Sequence, residues 1–210
     1  MNILNSSEKT KKKTGIIGGT FNPVHIGHLI LAENAYDALG LDKVIFMPTG
    51  RSYLKDPTKI LPADARTELL KAAVEGNAHF FISDHETKKA GNSYTYETLS
   101  ELNAIDKDEQ IYFIIGEDSI YNIETWKEPG LIFDNCVLVV APRDHEPDEK
   151  LIAIMTHLED KYGARIVLLD APDIDISSSM IRERVMNGKS IRYYVPDKVA
   201  NIIYNNRYYL

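Results

Sequence analysis

Two histidines in a glycine-rich turn, His25 and His28, are the residues of this 210-residue chain best suited to chemistry. The turn runs Gly18-Gly19-Thr20-Phe21-Asn22-Pro23-Val24-His25-Ile26-Gly27-His28. It follows a short apolar run typical of a buried strand and leads into an apolar segment typical of a helix. A strand, a glycine turn and a helix start leave backbone N–H groups unpaired, where a phosphate can bind. The pattern therefore predicts a phosphate site, and the plainer alternative is a strand-to-helix turn with two surface histidines.

A second segment near the C-terminus offers complementary chemistry. It reads Ile176-Ser177-Ser178-Ser179-Met180-Ile181-Arg182. The serines open a predicted helix, and Arg182 lies about one turn further on. Hydroxyl groups, a helix start and a guanidinium together suit phosphate oxygens. Simple N-capping by Ser177 or Ser178 is the alternative, and both roles can hold at once.

Alternating elements must position these two segments. Strands are predicted over Thr14–Ile17, Lys43–Met47, His79–Ser83, Gln110–Ile115, Cys136–Ala141 and Arg165–Asp170. Helices are predicted over Ile26–Leu39, Ala63–Glu75, Tyr94–Asn103, Asp148–Tyr162, Ser178–Asn187 and Pro196–Asn205. Several strands are apolar throughout, which is typical of a parallel sheet covered on both faces. We predict an α/β fold: a Rossmann-like, doubly wound, mainly parallel sheet flanked by helices, with two further helices at the C-terminus.

In such a sheet, ligands bind beyond the carboxyl ends of the strands. The polar segments after the predicted strands fall there, including Gly18–His28 and Gly116-Glu117-Asp118, so they are expected to meet in space. We predict a polar tail over residues 1–13 and a single domain over residues 14–210.

Composition excludes some classes of protein. The formal net charge of −7 argues against a protein that coats nucleic acid, but it allows a small anionic substrate in a basic pocket. No apolar stretch has the roughly 18 to 20 residues of a membrane span. The single cysteine, Cys136, lies in an apolar run and excludes an internal disulfide. It indicates a core position in a reducing, cytoplasmic protein. A homo-oligomer is compatible with the sequence.

The two segments together resemble the Rossmann-like nucleotidyltransferases, whose signatures are an H-x-G-H turn and a late I-S-S-T-x-I-R segment. Here Ser179 replaces the threonine and keeps the hydroxyl. Within that superfamily the chain resembles the bacterial nicotinate mononucleotide adenylyltransferase family from Thr14 to its end. Further matching elements are Phe46-Met47-Pro48-Thr49-Gly50, Gly91-Asn92-Ser93-Tyr94-Thr95, Tyr112-Phe113-Ile114-Ile115-Gly116-Glu117-Asp118-Ser119, Trp126-Lys127 and Ile191-Arg192-Tyr193-Tyr194-Val195-Pro196. Where the family usually carries Pro-Pro-His-Lys, this chain has Ser52-Tyr53-Leu54-Lys55 and keeps only the lysine.

The resemblance implies transfer of AMP from ATP to nicotinate mononucleotide, giving deamido-NAD and pyrophosphate. It implies that His25, His28, Arg182 and Lys55 are the catalytic residues, with His28 at the reacting phosphate. Residues expected at ATP are Gly18, Gly19, Thr20, Phe21, His25, His28, Gly116, Asp118, Ile176, Ser177, Ser178 and Arg182. Residues expected at the mononucleotide are Asn22, Thr49, Lys55, Ser93, Tyr94, Thr95 and Trp126. Mg²⁺ is expected with ATP, held mainly by phosphate and water and not by a protein metal site.

Three other functions remain open at this point. One is another nucleotidyltransferase of the same fold, acting on phosphopantetheine or a phosphoalcohol. Another is a non-catalytic nucleotide sensor. The third is an aminoacyl-tRNA synthetase fragment, since His25-Ile26-Gly27-His28 spells that class's signature, although the chain lacks a Lys-Met-Ser-Lys-Ser element. Within the favoured family, we predict that the acid mononucleotide is preferred over the amide.

Overall fold

A parallel sheet lies at the centre of the fold. The computed structural model describes residues 11–51, 56–142 and 147–210. Within these ranges six strands pair in the order β3-β2-β1-β4-β5-β6, all parallel. The strands are β1 Lys12–Gly19, β2 Lys43–Pro48, β3 Phe80–Ile82, β4 Glu109–Gly116, β5 Val137–Ala141 and β6 Ile166–Leu168. The predicted Rossmann-like α/β fold is confirmed.

Helices connect the strands and follow the last one. The α-helices of the described ranges are α1 Ile26–Leu39, α2 Ala63–Val74, α3 Thr95–Ile105, α4 Glu117–Ile120, α5 Pro129–Asn135, α6 Glu149–Tyr162, α7 Ser178–Met186 and α8 Asp197–Asn205. A short 3-10 helix, Ile123–Thr125, follows α4. Across these described segments, no helix combines the length and apolar character needed to cross a membrane.

Alternate residues of the central strands β1, β4 and β5 supply two separate cores, one on each face of the sheet. In β4, Ile114 belongs to the core under α1, α2, α7 and α8, whereas Phe113 and Ile115 belong to the core under α3, α5 and α6. Successive side chains of a strand point to opposite faces, so a strand covered on both sides must be apolar throughout. Cys136 lies in the second core and is 1% exposed, as its apolar run predicts.

Most element ends lie within one or two residues of the sequence-based expectation, and two differences change an assignment. The first strand begins at Lys12, so Lys12 and Lys13 belong to the sheet and not to the predicted polar tail. The Lys12 N–H donates to the Asp108 carbonyl over 3.0 Å, and Lys13 Nζ donates to the Leu39 carbonyl over 2.9 Å. Residues 1–10 of that tail lie outside the described residues. Helices α4 and α5 were not predicted, because four and seven residues are too few to show helical periodicity.

The strand order places a switch point between β1 and β4. The chain winds outward from β1 to β3 and then returns, so that β4 pairs with the other side of β1. Connections from neighbouring strands leave in opposite directions at such a point and open a crevice at the carboxyl ends. The glycine turn after β1 and the segment Gly116–Asp118 after β4 therefore border one crevice.

Candidate active site

The glycine turn fixes the orientation of the two histidine rings. His25 immediately precedes α1, and its backbone N–H donates to His28 Nδ1 over 3.2 Å. The two ring centroids are 3.7 Å apart, and the edge of Phe21 approaches His28 with centroids 5.0 Å apart. Because Nδ1 of His28 accepts this bond, the neutral ring carries its proton on Nε2. His28 thus offers an N–H donor from a ring held on both sides.

His25 is buried and neutral. Its exposed fraction is 7%, and burial lowers the pKa of His25 to about 4. Its Nδ1 is buried with no hydrogen-bond partner among the described residues, which leaves Nε2 as the ring nitrogen for a ligand. A Cβ on Gly27 would lie 3.1 Å from this Nδ1, so the small residue lets the first turn of α1 approach the ring.

The serines that open α7 have different roles. Ser177 caps the helix, since its Oγ accepts the Met180 N–H over 3.2 Å, as the capping interpretation predicts. Ser178 Oγ donates to the Pro23 carbonyl over 2.7 Å. The hydroxyl proton of Ser178 is therefore committed to the glycine turn, and the contact with ATP expected of Ser178 stays a prediction. Its backbone N–H lies in the first turn of α7, where the helix supplies no partner.

Arg182 completes the link between the two segments. Its Nη1 donates to the Asn22 carbonyl over 2.8 Å, and its Nη2 donates to Ser179 Oγ over 3.0 Å. Because Ser179 Oγ is the acceptor in this bond, its hydroxyl proton can donate to another group. A guanidinium has five N–H donors, so these two bonds orient Arg182 and leave donors for an anion.

The two segments border one cavity of about 590 Å³, here called the histidine cleft. Of the residues expected at ATP, those lining it are Gly19, Thr20, Phe21, His25, His28, Asp118, Ile176, Ser177, Ser178 and Arg182. Asp56 and Lys59 line it as well and were not expected. The structure therefore brings the imidazoles and the guanidinium to a single cleft.

Two further cavities adjoin the cleft at Asp118. The tryptophan cavity, about 540 Å³, includes Gly18, Thr49, Phe113 and Trp126 in its walls. The Gly116 cavity, about 340 Å³, is bordered by Gly116, Ala141, Pro142, Ala171 and Ile174. Asp118 lines all three cavities, and Gly19 and Thr20 line both the cleft and the tryptophan cavity. The arrangement suits one extended ligand, or two ligands that meet in the middle.

The tryptophan cavity contains most of the residues expected at the mononucleotide. Trp126 is half-buried, with its ring edge-on to Phe113 at 6.5 Å between centroids. Thr49, Ser93 and Thr95 also line the cavity. Tyr94 does not. Its ring lies under Lys127 Nζ, 4.5 Å from the centroid, and its expected contact with the mononucleotide, through the hydroxyl or the backbone, stays a prediction.

Asn22, expected at the mononucleotide, lines the histidine cleft and also holds the turn in place. Its Nδ2 donates to the Lys59 carbonyl over 2.9 Å, and its Oδ1 accepts from the Leu61 N–H and from the Tyr209 hydroxyl, each over 3.1 Å. The side chain is 4% exposed. Asn22 therefore ties the glycine turn to the segment before α2 and to the C-terminus, and its contact with substrate stays a prediction.

Two buried charged residues were missed by sequence reasoning. Arg66 of α2 is 2% exposed and donates to the carbonyls of Leu61, Thr20 and Thr49 over 3.0, 2.8 and 2.8 Å. Glu86 is 8% exposed and lines the tryptophan cavity. No local pattern marks either residue, because their burial depends on segments distant in sequence. Lys55, the remaining expected catalytic residue, lies outside the described residues.

Among the described residues, Asp118 is the one acidic residue that lines all three cavities. No group of three or more His, Cys, Asp or Glu side chains placed to hold a metal occurs in the described ranges. The carboxylate of Asp118 fits a cation that is held chiefly by phosphate and water.

A switch-point crevice lined by the H-x-G-H turn and the late serine segment is the arrangement expected of a Rossmann-like nucleotidyltransferase. The family described as Cytidylyltransferase-like matches residues 16–184. A probable nicotinate-nucleotide adenylyltransferase from Lachnoclostridium phytofermentans is 40% identical over 199 residues, covering 95% of this chain and 100% of the relative. One from Clostridium beijerinckii is 42% identical over 202 residues, covering 94% and 99%. The chain belongs to the nicotinate-nucleotide adenylyltransferase family.

A solved structure shares the fold. The nicotinic acid mononucleotide adenylyltransferase of Plasmodium falciparum, complexed with NaAD, superposes with a TM-score of 0.78 at 18% identity, covering 94% of this chain and 97% of that one. The predicted resemblance is confirmed, and the phosphopantetheine and tRNA-synthetase alternatives are set aside.

Proposed function

We propose that this protein transfers AMP from ATP to nicotinate mononucleotide in NAD biosynthesis. A phosphate oxygen of the mononucleotide attacks the α-phosphorus of ATP, the α–β bridging bond breaks, and pyrophosphate leaves with the electron pair. The observation that carries the proposal is the convergence of His25, His28 and Arg182 on one cleft that opens into two further cavities at Asp118.

The reaction needs no nucleophilic side chain, because the acceptor phosphate is itself the nucleophile. Catalysis then rests on in-line positioning and on stabilising the charge that develops around the α-phosphate. The rings of His25 and His28 supply N–H donors on one side of the cleft. Arg182, with the first turn of α7, supplies a guanidinium and backbone N–H groups for the β- and γ-phosphates on the other.

The two flanking cavities match the two ends of the product. The Gly116 cavity has apolar walls, including Ala141, Pro142 and Ile174, that suit an adenine ring. Asp118 is placed to accept a hydrogen bond from a ribose hydroxyl. The indole of Trp126 provides a flat surface for the positively charged pyridine ring of the mononucleotide. Thr95 lies at the start of α3, where a hydroxyl or backbone N–H can bind the ring carboxylate.

Mg²⁺ belongs to this proposal as the partner of ATP. Asp118 would hold the ion through water, and the ion would neutralise triphosphate charge. Lys55 is proposed as a further cation, and the cytoplasmic location and a homo-oligomeric state also stay predictions.

The test is pyrophosphate release from ATP with each mononucleotide. We expect turnover with the acid form and a lower kcat/KM with the amide. Equal or better turnover of the amide would overturn the predicted acid preference alone. Binding of ATP without any pyrophosphate release would favour the nucleotide sensor and would refute the enzyme.

A further inference from the structure

Glu86 is a buried carboxylate that the proposed reaction does not use. It lies between β3 and α3, is 8% exposed and lines the tryptophan cavity. Thr98 Oγ1 donates to Glu86 Oε1 over 3.0 Å, and the Ser93 hydroxyl also bonds to this carboxylate. Burial raises the pKa of Glu86 above its ordinary value, and the bonds from Thr98 and Ser93, the charge of Lys89 and the Gly50 backbone reduce that rise. These four polar neighbours stabilise the carboxylate form of Glu86 at the edge of a ligand cavity.

The carboxylate sets the direction of a chain of hydrogen bonds. The Gly50 N–H donates to Ser93 Oγ over 3.2 Å. A serine hydroxyl has one proton, and an ionised carboxylate only accepts. The proton of Ser93 therefore goes to Glu86, and Glu86 receives the Thr98 proton as well. In this series the Gly50 N–H donates to Ser93, and Ser93 donates to Glu86. These directions hold only while Glu86 accepts hydrogen bonds from the hydroxyls of both Ser93 and Thr98.

These hydrogen bonds between Gly50, Ser93 and Glu86 close one wall of the tryptophan cavity. Gly50 follows Thr49 at the end of β2, and Ser93 precedes Thr95 at the start of α3. The Ser93 N–H also donates to the Arg51 carbonyl over 3.0 Å. A Cβ on Gly50 would lie 2.2 Å from the Glu86 carbonyl oxygen, so the two segments are in close contact. Thr49, Ser93 and Thr95 are brought to one surface by these contacts.

We propose that Glu86 is a positioning residue for the acceptor: its carboxylate fixes the Thr49–Ser93–Thr95 wall and so sets the affinity for the mononucleotide but not for ATP. The inference rests on the proposed function. It separates the two substrates because Glu86 borders the tryptophan cavity and lies outside the lining of the histidine cleft and the Gly116 cavity.

Glu86→Gln is the informative variant, because glutamine keeps the shape and loses one acceptor. The amide nitrogen donates and cannot accept, so the Ser93 and Thr98 hydroxyls would have to share the single remaining oxygen. We expect the KM for nicotinate mononucleotide to rise about tenfold or more. The KM for ATP and kcat are expected to stay within about twofold to threefold, because the cleft is unchanged. Ser93→Ala breaks the same chain without altering the buried charge and is expected to raise the same KM.

Glu101→Gln is the matched control. Glu101 lies in α3 and pairs with His85 and Lys89, on the outer side of the segment that carries Glu86. Its side chain is 46% exposed. This variant loosens the same segment without touching the cavity, so its KM values should match the wild type.

Fluorescence gives a second readout that does not need turnover. Trp126 is the only tryptophan of the chain and lines the cavity, so its emission reports binding of the mononucleotide. The Kd of Glu86→Gln measured in this way should rise in parallel with KM. The inference is refuted if both Glu86→Gln and Ser93→Ala bind the mononucleotide like the wild type. It is also refuted if Glu86→Gln raises the KM for ATP as much as the KM for the mononucleotide. The same holds if Glu101→Gln raises the KM for the mononucleotide as much as Glu86→Gln does. Absence of pyrophosphate release by the wild type would instead refute the proposed function.

Discussion

His28→Asn is expected to abolish most of the activity while leaving the fold intact. The backbone N–H of His25 donates to His28 Nδ1, which places the Nε2–H as the donor toward the cleft. Asparagine can present an oxygen near the position of Nδ1 and has no atom at the position of Nε2. The variant therefore keeps the hydrogen bond at the start of α1 and removes the donor for the reacting phosphate.

The expected size follows from the chemistry of a preorganised donor. Loss of one such donor to a developing charge reduces kcat by roughly 10²- to 10³-fold, or about 3 to 4 kcal/mol. His28→Ala removes the acceptor for His25 as well, and also the ring contact with Phe21. We expect it to lose about 1 to 3 kcal/mol in the free energy of unfolding, which His28→Asn largely avoids.

Pyrophosphate release at saturating ATP and nicotinate mononucleotide measures kcat, and urea unfolding measures stability. His28→Gln is the complementary variant, because its amide nitrogen reaches the position of Nε2. It should be more active than His28→Asn and less stable. A kcat for His28→Asn within about tenfold of the wild type would refute the role of His28 as donor. Equal losses of kcat in His28→Asn and His28→Gln would show that the His28 ring acts through packing and not as a donor.

Three further predictions concern charge, protonation and packing. Arg182→Lys cannot reproduce two fixed guanidinium bonds and should lower kcat/KM for ATP roughly 10- to 100-fold; near-normal kinetics would contradict this. The pKa of His25 falls from 6.5 to about 4 on folding, so its stability contribution is present above pH 6.5 and declines by about 3 kcal/mol as the pH falls to 4. Urea unfolding of wild type and His25→Gln should then show a difference that shrinks with acidification, whereas a constant difference would exclude the mechanism. Gly50→Ala would place a Cβ 2.2 Å from the Glu86 carbonyl oxygen and should lower the free energy of unfolding by about 1 to 3 kcal/mol. In the control Gly130→Ala the nearest atom would be 3.7 Å away, and equal stability of the two variants would refute the packing argument.

Local sequence patterns determined the elements and the location of the chemistry. Helix α1 spans the predicted Ile26–Leu39, and the predicted Lys43–Met47 strand is one residue short of β2. Both elements are marked by the spacing of apolar residues that are close together in the sequence. Such patterns can therefore be recognised from the sequence alone. The same holds for the histidine turn and the serine segment, whose spacing places phosphate-binding groups at helix starts.

The two shortest α-helices could not be determined in this way. Helix α4 has four residues and α5 has seven, too few to show helical periodicity. Their existence depends on contacts with the end of β4 and with α3, which only the assembled fold supplies.

The roles of individual polar side chains were decided by the tertiary structure. Ser178 and Pro23 are 155 positions apart, and Tyr209 reaches Asn22 across 187. Residue type and spacing predicted that Ser178 and Asn22 lie at the site, but not that their polar atoms bind protein groups. Glu86 carries no local signal, because its importance comes from burial between two loops. A sequence records which groups a chain has, whereas the partner of each group depends on which distant segments the fold brings within about 3 Å.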